Sequence, residues 1–87
     1  MNDARQIEQT VTELVAKQGG APTTDVTRAT HFVDDLHFDS LDLVELTMSL
    51  EEAFRLTIPD GQAEALRTVG DVVDYVLDKT RSAAAGS

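Results

Sequence analysis

The spacing of apolar residues is the feature that most constrains the fold of this chain. In three segments these residues recur at intervals of three and four, which is the period of an amphipathic helix. In the first and last segments the positions are Ile7, Val11, Leu14, Val15, Val69, Val72, Val73, Val76 and Leu77. No segment shows the two-residue alternation of a half-buried strand. The pattern therefore predicts an all-α fold.

Two glycines and a run of turn-forming residues separate the first predicted helix from the second. The first helix spans about residues 3–18, and Gly19 and Gly20 end it because glycine adopts the left-handed conformation without penalty. Residues 21–38 are rich in Pro, Thr and Asp, which predicts a long loop. The apolar residues expected to hold this loop on the core are Phe32, Val33, Leu36 and Phe38.

Each of the three later helices is predicted from a capping residue at its start. Asp39 is a good N-cap residue for a second helix over residues 40–54. Pro59 disfavours helix at the residue before it, so Asp60 is expected to cap a new short helix that reaches about residue 66. Thr68 is expected to cap the last helix.

The chain is expected to form one small domain followed by a short tail. With 87 residues it is long enough for one hydrophobic core and too short for two. Ala, Gly and Ser make up residues 82–87, so we assign residues 1–81 to the domain and 82–87 to a flexible C-terminal tail. The expected architecture is a small bundle of three main helices plus one short helix, with a long loop between helices 1 and 2.

The charge of the chain is strongly negative and unevenly distributed. Sixteen acidic residues face seven basic ones, giving a net charge of -9. Nucleic acid is not an expected partner, because neutralising phosphates requires Lys and Arg. Half of the acids lie between Asp34 and Asp60, where Arg55 is the only base. This asymmetry predicts an acidic surface for partners with basic patches.

Several classes of protein are disfavoured by what the sequence lacks. The chain has no Cys, so neither a disulfide framework nor a thiolate metal site is predicted. No apolar run approaches the roughly 18 residues that a membrane span needs. A cytoplasmic setting without a membrane span is therefore expected.

The second predicted helix carries apolar residues on both of its sides. At about 100° per residue, one group falls on a side that can face the core. This group is Leu43, Leu46, Leu50, Ala53 and Phe54. The opposite stripe is Leu41, Val44 and Met48, and the acids around it are Asp42, Glu45, Glu51 and Glu52. An exposed apolar stripe with an acidic rim has the anatomy of a protein-binding surface.

An ordered set of short motifs extends from about residue 7 to residue 78. Asp39-Ser40-Leu41 is at its centre, and the other segments are 32–36, 40–46, 50–54, 58–60, 68–69 and 74–76. Together they resemble acyl carrier proteins, in particular the discrete, bacterial type II members of that family. Asp39-Ser40-Leu41 is similar to the D-S-L signature around the family's modified serine.

The resemblance implies a carrier that is not an enzyme. A phosphopantetheinyl transferase would move a phosphopantetheine arm from coenzyme A to Ser40, with Asp39 and Leu41 as signature neighbours. The thiol of the arm would hold acyl groups as thioesters. Partner enzymes with basic docking patches would be synthases, acyltransferases, reductases and dehydratases of fatty acid, specialised lipid or polyketide biosynthesis. A monomer is expected.

The resemblance also implies two further sets of residues. The partner-facing set is Asp42, Val44, Glu45, Met48, Glu51, Glu52 and Asp60, with Glu45 and Glu51 expected to be exposed. The set that shelters the acyl chain is Leu46, Phe54 and Ile58. One position departs from the family pattern, because His37 stands where Gly is usual. If the backbone there has positive φ, His37 is strained, and its side chain either contacts the phosphate of the arm or simply faces solvent.

Other functions explain fewer of these residues. A hydrolase that uses Ser40 and His37 would lack the G-x-S-x-G elbow. A calcium-binding loop that begins at Asp34 would have apolar residues at ligand positions. Asp39 disfavours a peptidyl carrier, whereas an aminoacyl carrier stays open. An unmodified acidic protein-interaction bundle is the main alternative.

Overall fold

The computed structural model describes residues 4–85 of the chain, and it describes side chains as far as residue 80. Four α-helices and one 3-10 turn follow each other along these residues. They are α1 (Ala4–Gly19), the 3-10 turn (Thr23–Asp25), α2 (Ser40–Phe54), α3 (Asp60–Ala63) and α4 (Val69–Ala85). Within the described residues, β-structure is limited to one antiparallel bridge between His31 and Thr68. The predicted all-α bundle is therefore confirmed.

The core lies where α1 meets both α2 and α4. The apolar positions that predicted the helices supply most of its buried side chains. These are Ile7, Val11 and Val15 of α1, Leu46 and Leu50 of α2, and Val69, Val72, Val73 and Val76 of α4. Among the other residues placed on the core side of α2, Leu43 and Phe54 are half-buried. The prediction was wrong for Ala53, which is exposed in the last turn of α2, beyond the buried Leu50.

Backbone hydrogen bonds fix the long loop between α1 and α2 to the start of α4. The N–H of Phe32 donates to the carbonyl of Arg67 at 3.0 Å, and the N–H of Val69 donates to the carbonyl of Thr30 at 3.0 Å. Buried backbone groups are stable only when they are paired, so these bonds allow the loop to lie against the core. The loop is consequently a fixed part of the fold.

Two aromatic side chains of the loop belong to the core. Phe32 and Phe38 are both buried, and their rings stack with centroids 5.8 Å apart. The prediction that Val33 would also pack on the core was wrong, since its side chain is 47% exposed. Val33 lies in a turn in which the next two residues are exposed as well, so the turn presents it to solvent.

Arg28 connects the loop to two helices at the surface. Its guanidinium lies 2.9 Å from Asp74 of α4 and 3.8 Å from Glu8 of α1. The hydrogen bond with Asp74, together with the charge of that carboxylate, raises the pKa of Arg28. The contribution of such exposed pairs to stability is small, but this one holds the loop between α1 and α4.

The ends of α1 and α2 both use a left-handed residue. Gly20 has φ 65°, and the N–H of Ala21 donates back to Ala16 at 3.0 Å, which confirms that the glycines end α1. Arg55 ends α2 with φ 54°. Nothing in the sequence predicted a left-handed residue there, because arginine seldom adopts this conformation.

The starts of α3 and α4 differ in how well they were predicted. Thr68 and Asp71 form a reciprocal pair of bonds at the start of α4, 3.1 Å and 3.2 Å long, as predicted from Thr68. Asp60, in contrast, is the first residue of α3 and does not cap it. Pro59 occupies the N-cap position with φ -59°, a value that already suits entry into a helix. The short helix also ends at Ala63, before the predicted residue 66.

The end of α4 does not coincide with the predicted domain boundary. The helix continues to Ala85 and so passes residue 81, while residues 86 and 87 of the predicted tail lie outside the described residues. The division into domain and tail stays a prediction. None of the helices described is long and apolar enough to cross a lipid bilayer.

Replacing Leu46 by Ala should destabilise the domain far more than replacing Met48 by Ala. Leu46 is 3% exposed and Met48 is 61% exposed. Removing a buried Leu side chain costs about 2–5 kcal/mol because a cavity remains. Thermal or urea unfolding of both variants measures the difference, and equal losses would mean that the two faces of α2 are assigned the wrong way round.

Candidate functional site

A reciprocal pair of hydrogen bonds fixes the first residue of α2. The backbone N–H of Asp42 donates to Oδ1 of Asp39 at 2.9 Å, and the N–H of Asp39 donates to Oδ2 of Asp42 at 3.1 Å. Each carboxylate thus satisfies one of the N–H groups that a helix start leaves unpaired. The predicted capping role of Asp39 is confirmed, and Ser40 is the first residue of the helix.

Ser40 presents its hydroxyl at this helix start. Its side chain is exposed, and within the described residues no hydrogen bond engages it. The N–H groups of Ser40 and Leu41 belong to the first turn, where a helix offers no internal acceptor. The positive end of the helix dipole lies at the same place. An anionic group joined to Ser40 would therefore meet free N–H donors and a favourable dipole.

His37 lies three residues before Ser40 in a strained backbone conformation. Its φ is 59°, in the left-handed region that favours glycine. The N–H of His37 donates to the carbonyl of Val33 at 3.0 Å, and the next residue, Phe38, is buried. These two anchors hold the conformation in place despite its cost. A contact between the exposed imidazole and a phosphate stays a prediction.

A cavity of about 520 Å³ opens beside Ser40, between α2, α3 and the start of α4. Its lining includes Leu46 and Ile58, two of the three residues expected to shelter an acyl chain, a role that stays a prediction. Phe54, the third residue of that set, is not among the residues that line it. Phe54 is on the last turn of α2, where it packs half-buried against the core. The lining residues that were not predicted include Phe32, Thr47, Ala63, Leu66 and Val72.

A second depression shares none of its lining residues with this cavity. It is a wide groove along α1 and the 3-10 turn, lined mainly by polar residues such as Arg5, Glu8 and Thr12. None of the predicted site residues lies in it. The cavity beside Ser40 is smaller but apolar and partly enclosed, which is the usual character of a ligand pocket.

The outer side of α2 remains open to solvent. Leu41, Val44 and Met48 are 65%, 54% and 61% exposed, which confirms the predicted apolar stripe. Glu45, Glu52 and Asp60 are also exposed. Glu45 and Glu52 lie on α2 with the stripe, whereas Asp60 is the first residue of α3. Val44 and Met48 also lie in the lining of the cavity, so the stripe adjoins its mouth.

Glu51 has a structural role that the sequence did not reveal. Its Oε2 accepts a hydrogen bond from the backbone N–H of Ile58 at 2.8 Å, and its side chain is half-buried. The expectation that Glu51 is exposed was therefore wrong. The left-handed Arg55 turns the chain back, which brings Ile58 close to Glu51. The bond ties the loop after α2 to the wall of the cavity.

Asp42 is also engaged within the fold. Besides its capping bond, its Oδ1 accepts a hydrogen bond from Nε2 of Gln18 at 3.3 Å, which links α2 to the end of α1. Asp42 is consequently half-buried. It is less free to meet a partner than Glu45 or Glu52.

Two of the other sites considered, a metal site and a hydrolase pair, can be compared with the described residues. No group of three or more His, Cys, Asp or Glu side chains among them is placed to hold a metal ion. Nor does any hydrogen bond within residues 4–80 join Ser40 to His37, as nucleophile and base are joined in a hydrolase.

Comparison with known protein families identifies a match. The family model described as "Phosphopantetheine attachment site" matches residues 9–76. The matched region includes most of α1, all of α2 and α3, and the first turns of α4. It therefore contains Ser40, its capping residues and the lining of the cavity.

Replacing His37 by Gly should stabilise the domain. A non-glycine residue in the left-handed conformation costs about 1–2 kcal/mol, part of which is offset by the greater freedom of Gly in the unfolded chain. We expect the free energy of unfolding to rise by about 0.5–1 kcal/mol in denaturant titrations.

The matched control is His31→Gly in the same loop. His31 does not have positive φ, and its Nδ1 accepts a hydrogen bond from the N–H of Asp34 at 3.2 Å. This variant should lose stability. A loss in the His37 variant as well would show that the His37 imidazole makes a contact that outweighs the backbone strain.

Proposed function

The chain belongs to the phosphopantetheine attachment site family, and from this membership we propose that it is an acyl carrier protein whose arm is attached to Ser40. Members of the family carry a covalently bound phosphopantetheine group and are not catalytic themselves. The observation that carries the assignment to Ser40 is its position, with an exposed hydroxyl at the start of α2 and beside an apolar cavity.

The surroundings of Ser40 fit a phosphodiester-linked arm. The free N–H groups at the helix start can donate to phosphate oxygens. The carboxylates of the helix cap, Asp39 and Asp42, already accept hydrogen bonds from backbone N–H groups. Their reciprocal bonds hold the loop and α2 in place, so that a phosphopantetheinyl transferase would meet an ordered Asp39-Ser40-Leu41 segment.

The cavity supports acyl groups as the cargo. When bound, the arm supplies a thiol that holds an acyl group as a thioester. Leu46 and Ile58 are buried on the cavity wall, and they would contact an apolar chain that enters from the side of Ser40. Burial of methylene groups against such side chains is favourable because it removes apolar surface from water. Sheltering would also keep water from the thioester.

The exposed side of α2 supports docking to several enzymes. Val44 and Met48, with Leu41, would supply apolar contact, and Met suits a surface that accepts different partners. Glu45, Glu52 and Asp60 would attract basic patches on synthases, acyltransferases, reductases and dehydratases. The pathways served would be fatty acid, specialised lipid or polyketide biosynthesis. The bond from Glu51 to Ile58 makes Glu51 a weaker candidate for partner contact.

Intact mass spectrometry tests the attachment at Ser40. The protein is incubated with coenzyme A and a phosphopantetheinyl transferase of broad specificity, and its mass should rise by one phosphopantetheine. Ser40→Ala should abolish the gain. Ser49→Ala, on the same helix and half-buried, is the matched control and should gain the arm normally. A folded, unmodified protein in the presence of an active transferase would favour an acidic interaction bundle instead.

Charge reversal on α2 should slow modification by the transferase. The double variant Glu45→Lys/Glu52→Lys removes two exposed acids from the docking side, and we expect the modification rate to fall by about tenfold or more at low salt. The effect should shrink as salt screens the charges.

The control is a double variant with the same change in net charge on the other helices. Glu13→Lys on α1 and Asp78→Lys on α4 are both at exposed positions. Equal slowing in the two variants would show that net charge matters and that α2 is not the docking side. Circular dichroism verifies that both variants keep their helices.

A further inference from the structure

The inner wall of the cavity beside Ser40 is apolar. Its buried residues are Phe32, Leu46, Leu50, Ile58 and Val72, each at most 4% exposed. The hydroxyl of Thr47, which also lies in the lining, donates to the carbonyl of Leu43 at 2.8 Å. That hydroxyl is thus already engaged as a donor. The inner wall offers an incoming group apolar contact and few free donors.

The polar side chains of the lining are mostly carboxylates. Glu51, Asp60 and Glu64 lie in it, and no Lys, Arg or His is found among the described residues that line the cavity. Asp60 and Glu64 are exposed and so belong to its rim. Glu51 is half-buried, and the hydrogen bond that it accepts from the N–H of Ile58 holds its carboxylate at the wall.

An apolar wall with carboxylates in its lining should bind neutral acyl chains better than anionic ones. A hydrocarbon chain gains from burial in the apolar interior. A chain that ends in a carboxylate would lose hydration without finding a donor or a cation to replace it. It would also approach the carboxylates of Glu51, Asp60 and Glu64 in the lining, and like charges repel.

We propose that the cavity selects acyl cargo by charge: it admits uncharged acyl chains and excludes acyl groups that end in a carboxylate. The proposal rests on the proposed function, since the cargo reaches the cavity on the arm of Ser40. Excluded groups stay outside, where their thioester is open to water and to partner enzymes. Neutral chains are sheltered until a partner takes them.

The test compares acyl groups of equal chain length on the holo protein. One group ends in a methyl, one in a carboxylate, and one in the methyl ester of that carboxylate. Cleavage of the thioester by hydroxylamine and the thermal midpoint of unfolding are measured for each. The same thioesters on free pantetheine correct for intrinsic reactivity.

The methyl-ended and ester-ended groups should be cleaved about tenfold more slowly than the carboxylate-ended group after this correction. They should also raise the midpoint, whereas the carboxylate-ended group should leave it unchanged. Equal protection of all three would overturn the selection by charge and leave the carrier function intact.

A rim variant separates repulsion from simple loss of hydration. Asp60→Asn/Glu64→Gln removes two rim charges and leaves the hydrogen bond from the N–H of Ile58 to Glu51 in place. This variant should reduce the difference in the rate of thioester cleavage between the carboxylate-ended and methyl-ended groups. The control Glu13→Gln/Asp78→Asn, with the same change in net charge outside the cavity, should not. An unchanged difference in the rim variant would overturn the role given to the rim.

Failure of the underlying function gives separate results. If Ser40 never receives the arm, the carrier function itself fails and the inference with it. If the arm is loaded but no acyl group is protected, the cavity is not the acyl site. That result overturns the selection by charge while leaving attachment at Ser40 in place.

Discussion

The reciprocal hydrogen bonds between Asp39 and Asp42 are the interaction on which the arrangement of the site depends. They fix the residue at which α2 begins. The first N–H groups of a helix have no internal acceptor, so a start one residue later would place these unpaired groups on different residues. With the start at Ser40, the serine lies at the positive end of the helix dipole. Leu46 faces the core and Met48 faces solvent.

Much of this arrangement could be predicted from local sequence. The start of α2 follows from a capping residue, and its two faces follow from helical periodicity. A domain of this size buries only roughly 60% of its unfolded surface, so a helix that is apolar on both sides exposes one of them. The exposed stripe at Leu41, Val44 and Met48 was therefore predictable before any contact was known.

Two of the features that escaped prediction depend on the chain reversal between α2 and α3. The left-handed Arg55 reverses the chain and brings Ile58 close to Glu51. This turn could not be predicted, because arginine seldom adopts a left-handed conformation. The same reversal helps to place the side chains that line the cavity, among them Leu66, which was not predicted. Local patterns describe single helices well, but they do not give the path of the chain from one to the next.

The most direct test of the carrier assignment is the location of a bound acyl chain. A protein carrying a methyl-ended acyl group on the proposed Ser40 arm can be studied by nuclear Overhauser spectroscopy in solution. We expect contacts from the chain to the methyl groups of Leu46 and Ile58 in the cavity. Contacts to Leu41 instead, which is exposed and lies outside the lining of the cavity, would contradict the assignment of the cavity as the cargo site.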